Sequence, residues 1–298
     1  MKLDVTGIIV KEKDLSDSDK VITLLTCERG IITAIAKRSK TIRNRLGGMV
    51  QLFAYGTFTL FSARNGYLLD GCEIKEVFFE LRNDLEALSL AQYFCELSLA
   101  LRPEIEVSSE LLRVLLNSIF YLSKNKMNQL VVKSIFELRA CSLCGYMPQL
   151  VSCDKCGSYE AENMRFLIEK GKIFCYGCSR ESDFGVDISP SMLAALRYIV
   201  YCPVEKLFSF SVSYETAQKL EKITDKYIAV HTEGSFRPLE FYKKLNNFKV
   251  QTGNNLRTFE TIKHTRIPVT VGIMNDRAVH LRLLVSFFIV QSVVPQGK

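Results

Sequence analysis

Cysteines carry the plainest chemistry in this sequence: Cys153-x2-Cys156, eighteen residues, then Cys175-x2-Cys178. Each pair can grip one side of a tetrahedral ion through a tight turn, and the overall spacing is that of a zinc site. Gly157 and Gly177 are expected to give the backbone room to turn around the sulfurs. Thiolates select a soft or borderline metal, and four of them close the coordination sphere without leaving a position for a catalytic water. One structural Zn2+ per chain is therefore expected, against the simpler reading of two chance pairs or a redox pair. A third pair, Cys141 and Cys144, competes, but only eight residues separate it from Cys153. Its spacing fits two core thiols one helical turn apart. Cys27, Cys72, Cys95 and Cys202 stand alone in apolar runs and are assigned no function.

The second constellation is basic. Lys37-Arg38-Ser39-Lys40-Thr41-Ile42-Arg43-Asn44-Arg45 holds five positive charges and no negative one in nine residues. A flexible cationic loop of this kind can follow a phosphate backbone, with Lys37, Arg38, Lys40, Arg43 and Arg45 as DNA-binding candidates. The bland alternative is a solvated loop. Phe53, Tyr55, Phe58 and Phe61 follow it; most are expected in the core, with some available for base stacking.

Other chemistry is missing from the sequence. It contains no GxxxxGK[ST] phosphate loop, no GxGxxG after a strand and no HExxH helix. His231, His264 and His280 form no recognisable triad, so no catalytic residue is assigned and no enzyme is expected. The net charge of +7 is unevenly placed: residues 247–298 hold seven Lys/Arg against two Asp/Glu, which leaves +2 for the rest. A nucleic-acid site in the body must then be a local patch. The chain opens Met1-Lys2-Leu3-Asp4 without the apolar core of a secretory signal. Six of the ten cysteines fall in CxxC pairs, and both features suggest a cytoplasmic protein.

These groups need elements to position them. Val5 to Lys13, Lys20 to Cys27, Ile31 to Lys37, Met49 to Ser62 and Tyr67 to Phe79 read as strands, with turns at Glu28-Arg29-Gly30 and Asn65-Gly66. Five short strands predict a small barrel, an OB-fold first and an SH3-like barrel second. From Asn83 the period becomes helical. Helices are expected from Asn83 towards Pro103, from Ser109 to Ser123, from about Met127 to Cys144 with Gly145 as cap, from Ser189-Pro190 to Tyr201, and from Tyr214 to Val230. The fold class is α+β: residues 1–80 an OB-fold nucleic-acid-binding domain, 81–246 a helical domain containing a zinc module at 150–182, and 247–298 a C-terminal appendage. The appendage is polar to Ile267 and apolar from Leu281 to Val294, too short for a membrane span of roughly twenty residues. It reads as a loosely packed extension, with added strands or a membrane or partner contact as alternatives.

Taken together, these residues resemble one family. Thr6-Gly7-Ile8-Ile9-Val10, Ser18-Asp19-Lys20 before Val21-Ile22-Thr23-Leu24-Leu25-Thr26, Glu28-Arg29-Gly30, and the connector ending Leu46-Gly47-Gly48 look like the N-terminal OB domain of the RecO family. Phe136-Glu137-Leu138-Arg139, Gly145-Tyr146-Met147-Pro148-Gln149-Leu150 and Cys153-x2-Cys156-Gly157 resemble its central helix and zinc module. The resemblance covers roughly residues 1–245. It implies binding to single- and double-stranded DNA, strand annealing and help in loading RecA. It also implies partnership with RecR, with the C-terminal tail of single-stranded DNA-binding protein and with RecF, near the nucleoid and away from membranes. Such an acidic, apolar tail needs a helical groove edged by a cation, for which Arg139 and Arg197 are the candidates. Two rivals remain: a general OB-type single-strand binder, and a zinc deaminase, which would need an open metal position.

Overall fold

The structure, a computed structural model, describes residues 2–41, 46, 48–63, 66–159, 163–179 and 185–252, the last six as backbone. Its five N-terminal strands are β1 (Lys2–Asp14), β2 (Lys20–Thr26), β3 (Gly30–Ala36), β4 (Tyr55–Ala63) and β5 (Gly66–Glu76). They close a barrel in the order β1-β2-β3-β5-β4. The β3–β5 contact is parallel, and β1 pairs antiparallel with β4. This is the OB-fold arrangement.

Period-two patterning fills the barrel with Val5, Ile9, Ile22, Leu24, Ala34, Ala36, Phe58, Leu60 and Leu69. Closure depends on close backbone approach at two paired glycines, Gly7 and Gly56. A Cβ on Gly7 would lie 2.4 Å from the Leu25 carbonyl oxygen, and one on Gly56 2.1 Å from that of Glu73. The fourth strand starts at Tyr55 rather than Met49. The preceding segment instead turns back on itself, with Ala54 N–H donating to Gln51 and Phe53 N–H to Ile9. Phe53 adopts φ +68 and is buried.

Behind the barrel come α1 (Leu85–Ala100), α2 (Ile105–Ser123), α3 (Gln129–Leu143), α4 (Pro190–Tyr201), α5 (Tyr214–His231) and α6 (Arg237–Thr252). Asp84, Asn128, Ser189 and Ser213 cap the starts of α1, α3, α4 and α5 through side-chain oxygens. Gly145, at φ +94, follows the end of α3 as expected. Helix α3 is central, and every residue from Leu130 to Ser142 is buried. Between α3 and α4 lies a sheet of β6 (Met164–Leu167), β7 (Lys172–Cys175) and β8 (Val186–Ile188), in the order β7-β6-β8.

The strands of this small sheet and helix α6 were not anticipated. α6 also runs past the expected boundary at Asn246. Met1–Lys243 forms one compact unit and Lys244–Lys298 a second; only the end of α6 is described in the latter. The apolar run Leu281–Val294 lies outside the described residues. No helix among them is long and apolar enough to cross a membrane.

Candidate metal centre and nucleic-acid interface

The Sγ atoms of Cys153, Cys156, Cys175 and Cys178 lie within 4.8 Å of one another. Cys156 Sγ and Cys175 Sγ are 3.7 Å apart. With metal–sulfur bonds of about 2.3 Å, the edge of a thiolate tetrahedron is about 3.8 Å, so the cluster fits a four-coordinate ion. Two turns build it. Gly157 N–H donates to the Cys153 carbonyl at 2.9 Å, and Cys178 and Ser179 N–H both donate to that of Cys175 at 2.9 Å. Gly157 takes φ +73, where a side chain would be strained. Gly177, expected to serve likewise, sits in open space without a positive φ. The second turn therefore needs no glycine.

Burial opposes a thiolate at Cys153, but the backbone amides of Cys156, Cys175 and Lys155 outweigh it and bring that thiol down to about 6. Cys178 is pushed up to about 12, first by hydrogen bonding to the sulfurs of Cys175 and Cys156 and then by burial. Backbone donors thus favour one thiolate while crowding disfavours the next, a conflict that a bound dication removes. Asp154, the nearest acidic neighbour in sequence, pairs with Lys172 at 2.9 Å. Cys141 is fully buried in α3 and Cys144 half-buried at its end. Among the described residues, neither joins the metal-ligating cluster.

The basic connector is shown only in part. Lys37, Arg38 and Lys40 are exposed on a turn after β3, whereas Arg43 and Arg45 lie outside the described residues. The expected flexible loop is, over 37–41, tied to the β1–β2 loop. Arg38 N–H donates to Asp19 Oδ1 at 2.8 Å, and Lys40 N–H to the Ser18 carbonyl at 3.1 Å. Buried Ser39 donates to the Ala36 carbonyl at 2.9 Å. The Arg38 amide, the Ser18 hydroxyl and then the Lys37 and Arg38 charges hold the Asp19 carboxyl below its ordinary range against a small burial effect. Lys40 Nζ lies 3.0 Å from Asp14 Oδ2. Such a surface pair stabilises by at most about 1 kcal/mol, so a phosphate can displace the carboxylate. Of the four aromatics, Phe53, Tyr55 and Phe58 are buried, and only Phe61, 40% exposed, faces outward.

Arg139 and Arg197, placed by sequence reasoning at the edge of a groove, are occupied internally. Buried Arg139 donates to the Val200 carbonyl and pairs with Glu110 at 2.8 Å. Arg197 donates to the carbonyls of Leu150, Val151 and Tyr159. Neither presents a free guanidinium to a partner.

Sequence reasoning missed a buried polar cluster. Lys133 Nζ contacts Glu137 at 3.0 Å and Asp225 at 2.6 Å, with both Lys133 and Glu137 fully buried. Tyr93 and Thr224 hydroxyls donate to Glu137 at 2.7 and 2.6 Å. Asp225 also pairs with Lys243 at 2.7 Å. Burial opposes the Lys133 charge, but Glu137, Asp225 and Glu221 outweigh it and hold the ammonium above its ordinary pKa. A lysine and a glutamate four residues apart signal a surface pair; here the pair is sealed by α1 and α5. His231 packs against Tyr227 and Tyr146, whereas His264 and His280 lie outside the described residues.

A closed OB barrel, a helical body and a four-cysteine module between α3 and α4 define the class: a mixed α+β OB-fold protein with a candidate structural metal centre. Residues 1–78 match the family description "Recombination protein O N terminal", and residues 82–240 match "Recombination protein O C terminal". "DNA repair protein RecO" of Acetivibrio thermocellus is 33% identical over 247 residues, 83% of this chain and 98% of that protein. The proteins of the same name from Alkaliphilus metalliredigens and Bacillus pumilus are 28% and 26% identical, over 82% and 85% of this chain and 100% and 98% of theirs. The chain belongs to the RecO family of DNA repair proteins.

Proposed function

We propose that this protein is a recombination mediator working without catalytic turnover. It binds single- and double-stranded DNA, anneals complementary strands and helps load RecA onto strands coated with single-stranded DNA-binding protein. The observation that carries this reading is the OB barrel with a cationic turn at one end of β3, in a chain of the RecO family. Phosphates engage Lys37, Arg38, Lys40, Arg43 and Arg45, which holds a strand without reading its sequence. Cys153, Cys156, Cys175 and Cys178 hold one structural Zn2+, whose thiolate-only donor set leaves no position for a catalytic water.

The functional division is DNA on the barrel, residues 1–80, and protein partners on the helical body, residues 81–246. Those partners are RecR, the C-terminal tail of single-stranded DNA-binding protein, and RecF, all met in the cytoplasm at the nucleoid. The test is annealing of complementary strands coated with the cognate single-stranded DNA-binding protein, with no nucleotide added. Acceleration over the protein-free control is expected. Strand binding without acceleration would leave only a general OB-type binder.

A further inference from the structure

We propose that Arg197 is the positioning residue of the metal centre, closing the first cysteine turn by holding both of its ends; this rests on the metal reading above. Arg197 lies on α4, outside the module. Its Nε donates to the Leu150 carbonyl at 2.7 Å, and its Nη2 donates to Val151 at 2.7 Å and to Tyr159 at 2.8 Å. Leu150 and Val151 lead into Cys153, and Tyr159 follows Cys156 by three residues. One planar guanidinium thus bridges the entrance and exit of the Cys153–Cys156 turn. The Tyr159 ring stacks on the same group, 4.1 Å from the guanidinium carbon.

One helical turn later, the Tyr201 hydroxyl accepts from Leu150 N–H at 3.0 Å and donates to the Pro148 carbonyl at 3.1 Å. That anchor grips only the entrance; the turn is also closed from within, where Cys153 N–H donates to the Ser158 carbonyl at 2.8 Å, and Arg197 is the side chain that ties both ends to α4. Fixing loop ends before the ion arrives removes closure entropy from metal binding. The fork geometry is essential, because a lysine ammonium on a flexible stem cannot hold three carbonyls in one plane. The same contacts tie the metal turn to α4, so metal occupancy and the packing of that helix are linked.

The test uses the full chain, titrated with Zn2+ against a chromophoric chelator and with Co2+ to follow the thiolate-to-cobalt and d–d bands. Arg197→Lys should lose about 10- to 100-fold in metal affinity, the usual effect of removing a group that orients ligands. It should also show altered d–d bands. Tyr201→Phe and Tyr159→Leu, which leave the bridge intact, should lose less. Free guanidinium should restore affinity to Arg197→Ala, a rescue that a merely stabilising residue would not show; if that variant does not fold, Arg197→Lys decides alone. Wild-type affinity in Arg197→Lys, or an equal loss in Tyr201→Phe, overturns the proposal while leaving the metal reading in place. A wild-type chain that takes up neither ion overturns both.

Discussion

At the scale of single residues, the metal cluster shows how backbone and side chains divide the work. The sulfurs are brought together by two hydrogen-bonded turns, and the Cys153 thiolate is favoured by amides before any ion binds. Replacing Cys153 by Ser removes the most buried ligand of the four. Elemental analysis should show one zinc per wild-type chain and little or none in Cys153→Ser, whereas Cys141→Ser should keep its metal. Retention in the first with loss in the second would mean that the wrong pairs were assigned. The cationic turn is tested by replacing Arg38, Arg43 and Arg45 with Ala. Each lost phosphate contact should lower the slope of log affinity against log salt by about 0.7 for single strands, hence roughly two units in all. Thermal stability should change little: Arg38 is exposed, and its tie to Asp19 is made by the backbone N–H, which alanine keeps. An unchanged slope would move the DNA site elsewhere, with Lys155, Arg165, Lys170, Lys172 and Arg180 of the cysteine-rich module next in line.

At the scale of elements, α3 carries a charge cluster where a hydrophobic core would be expected. Lys133→Met leaves Glu137 buried without its cation, which should cost about 3–5 kcal/mol in urea unfolding. A loss under 1 kcal/mol would mean that the cluster rearranges. The cluster also sets a pH dependence. Burial would raise the Asp225 carboxyl, but Lys133 and then Lys243 hold it below its ordinary value. A lowered carboxylate contributes stability that is present above its unfolded pKa, about 3.9, and lost as pH falls through its folded value. Glu221 is raised, chiefly by burial, and acts with opposite sign. Unfolding midpoints should therefore fall on acidification below about pH 4, and less steeply in Asp225→Asn. An equally steep fall in that variant would assign the acid sensitivity to other groups.

At the scale of the whole molecule, the family match ends at residue 240 and the compact unit at Lys243, while the sequence continues for a further 55 residues. Truncation after Thr252, which spares α6, should leave folding and low-salt annealing intact. The lost positive charge should weaken nonspecific DNA affinity modestly. Annealing reduced to background in that truncation would make the C-terminal segment an integral part of the machine. Binding of the acidic tail of single-stranded DNA-binding protein should map to the helical body. Crosslinks from such a peptide confined to residues 1–80 would place it on the barrel instead.

The sequence by itself determined whatever depends on local pattern. Alternation marked the barrel strands, Ser189-Pro190 marked a helix cap, and the CxxC spacing identified all four clustered cysteines; the Asn65-Gly66 turn falls partly outside the described residues. These signals are legible because each is set by neighbours a few residues apart. The tertiary structure decided what depends on which distant segments meet. The parallel β3–β5 contact separated OB-fold from SH3-like closure. Lys133 is held as a buried cation by Glu137 one turn along α3 and by Asp225, ninety-two residues later, which faces it from α5. Arg139 and Arg197 look like available surface cations in sequence, yet both are spent on internal carbonyls and, for Arg139, a carboxylate. An isolated charge has no local signature of burial, because its cost is met by partners that only folding brings near.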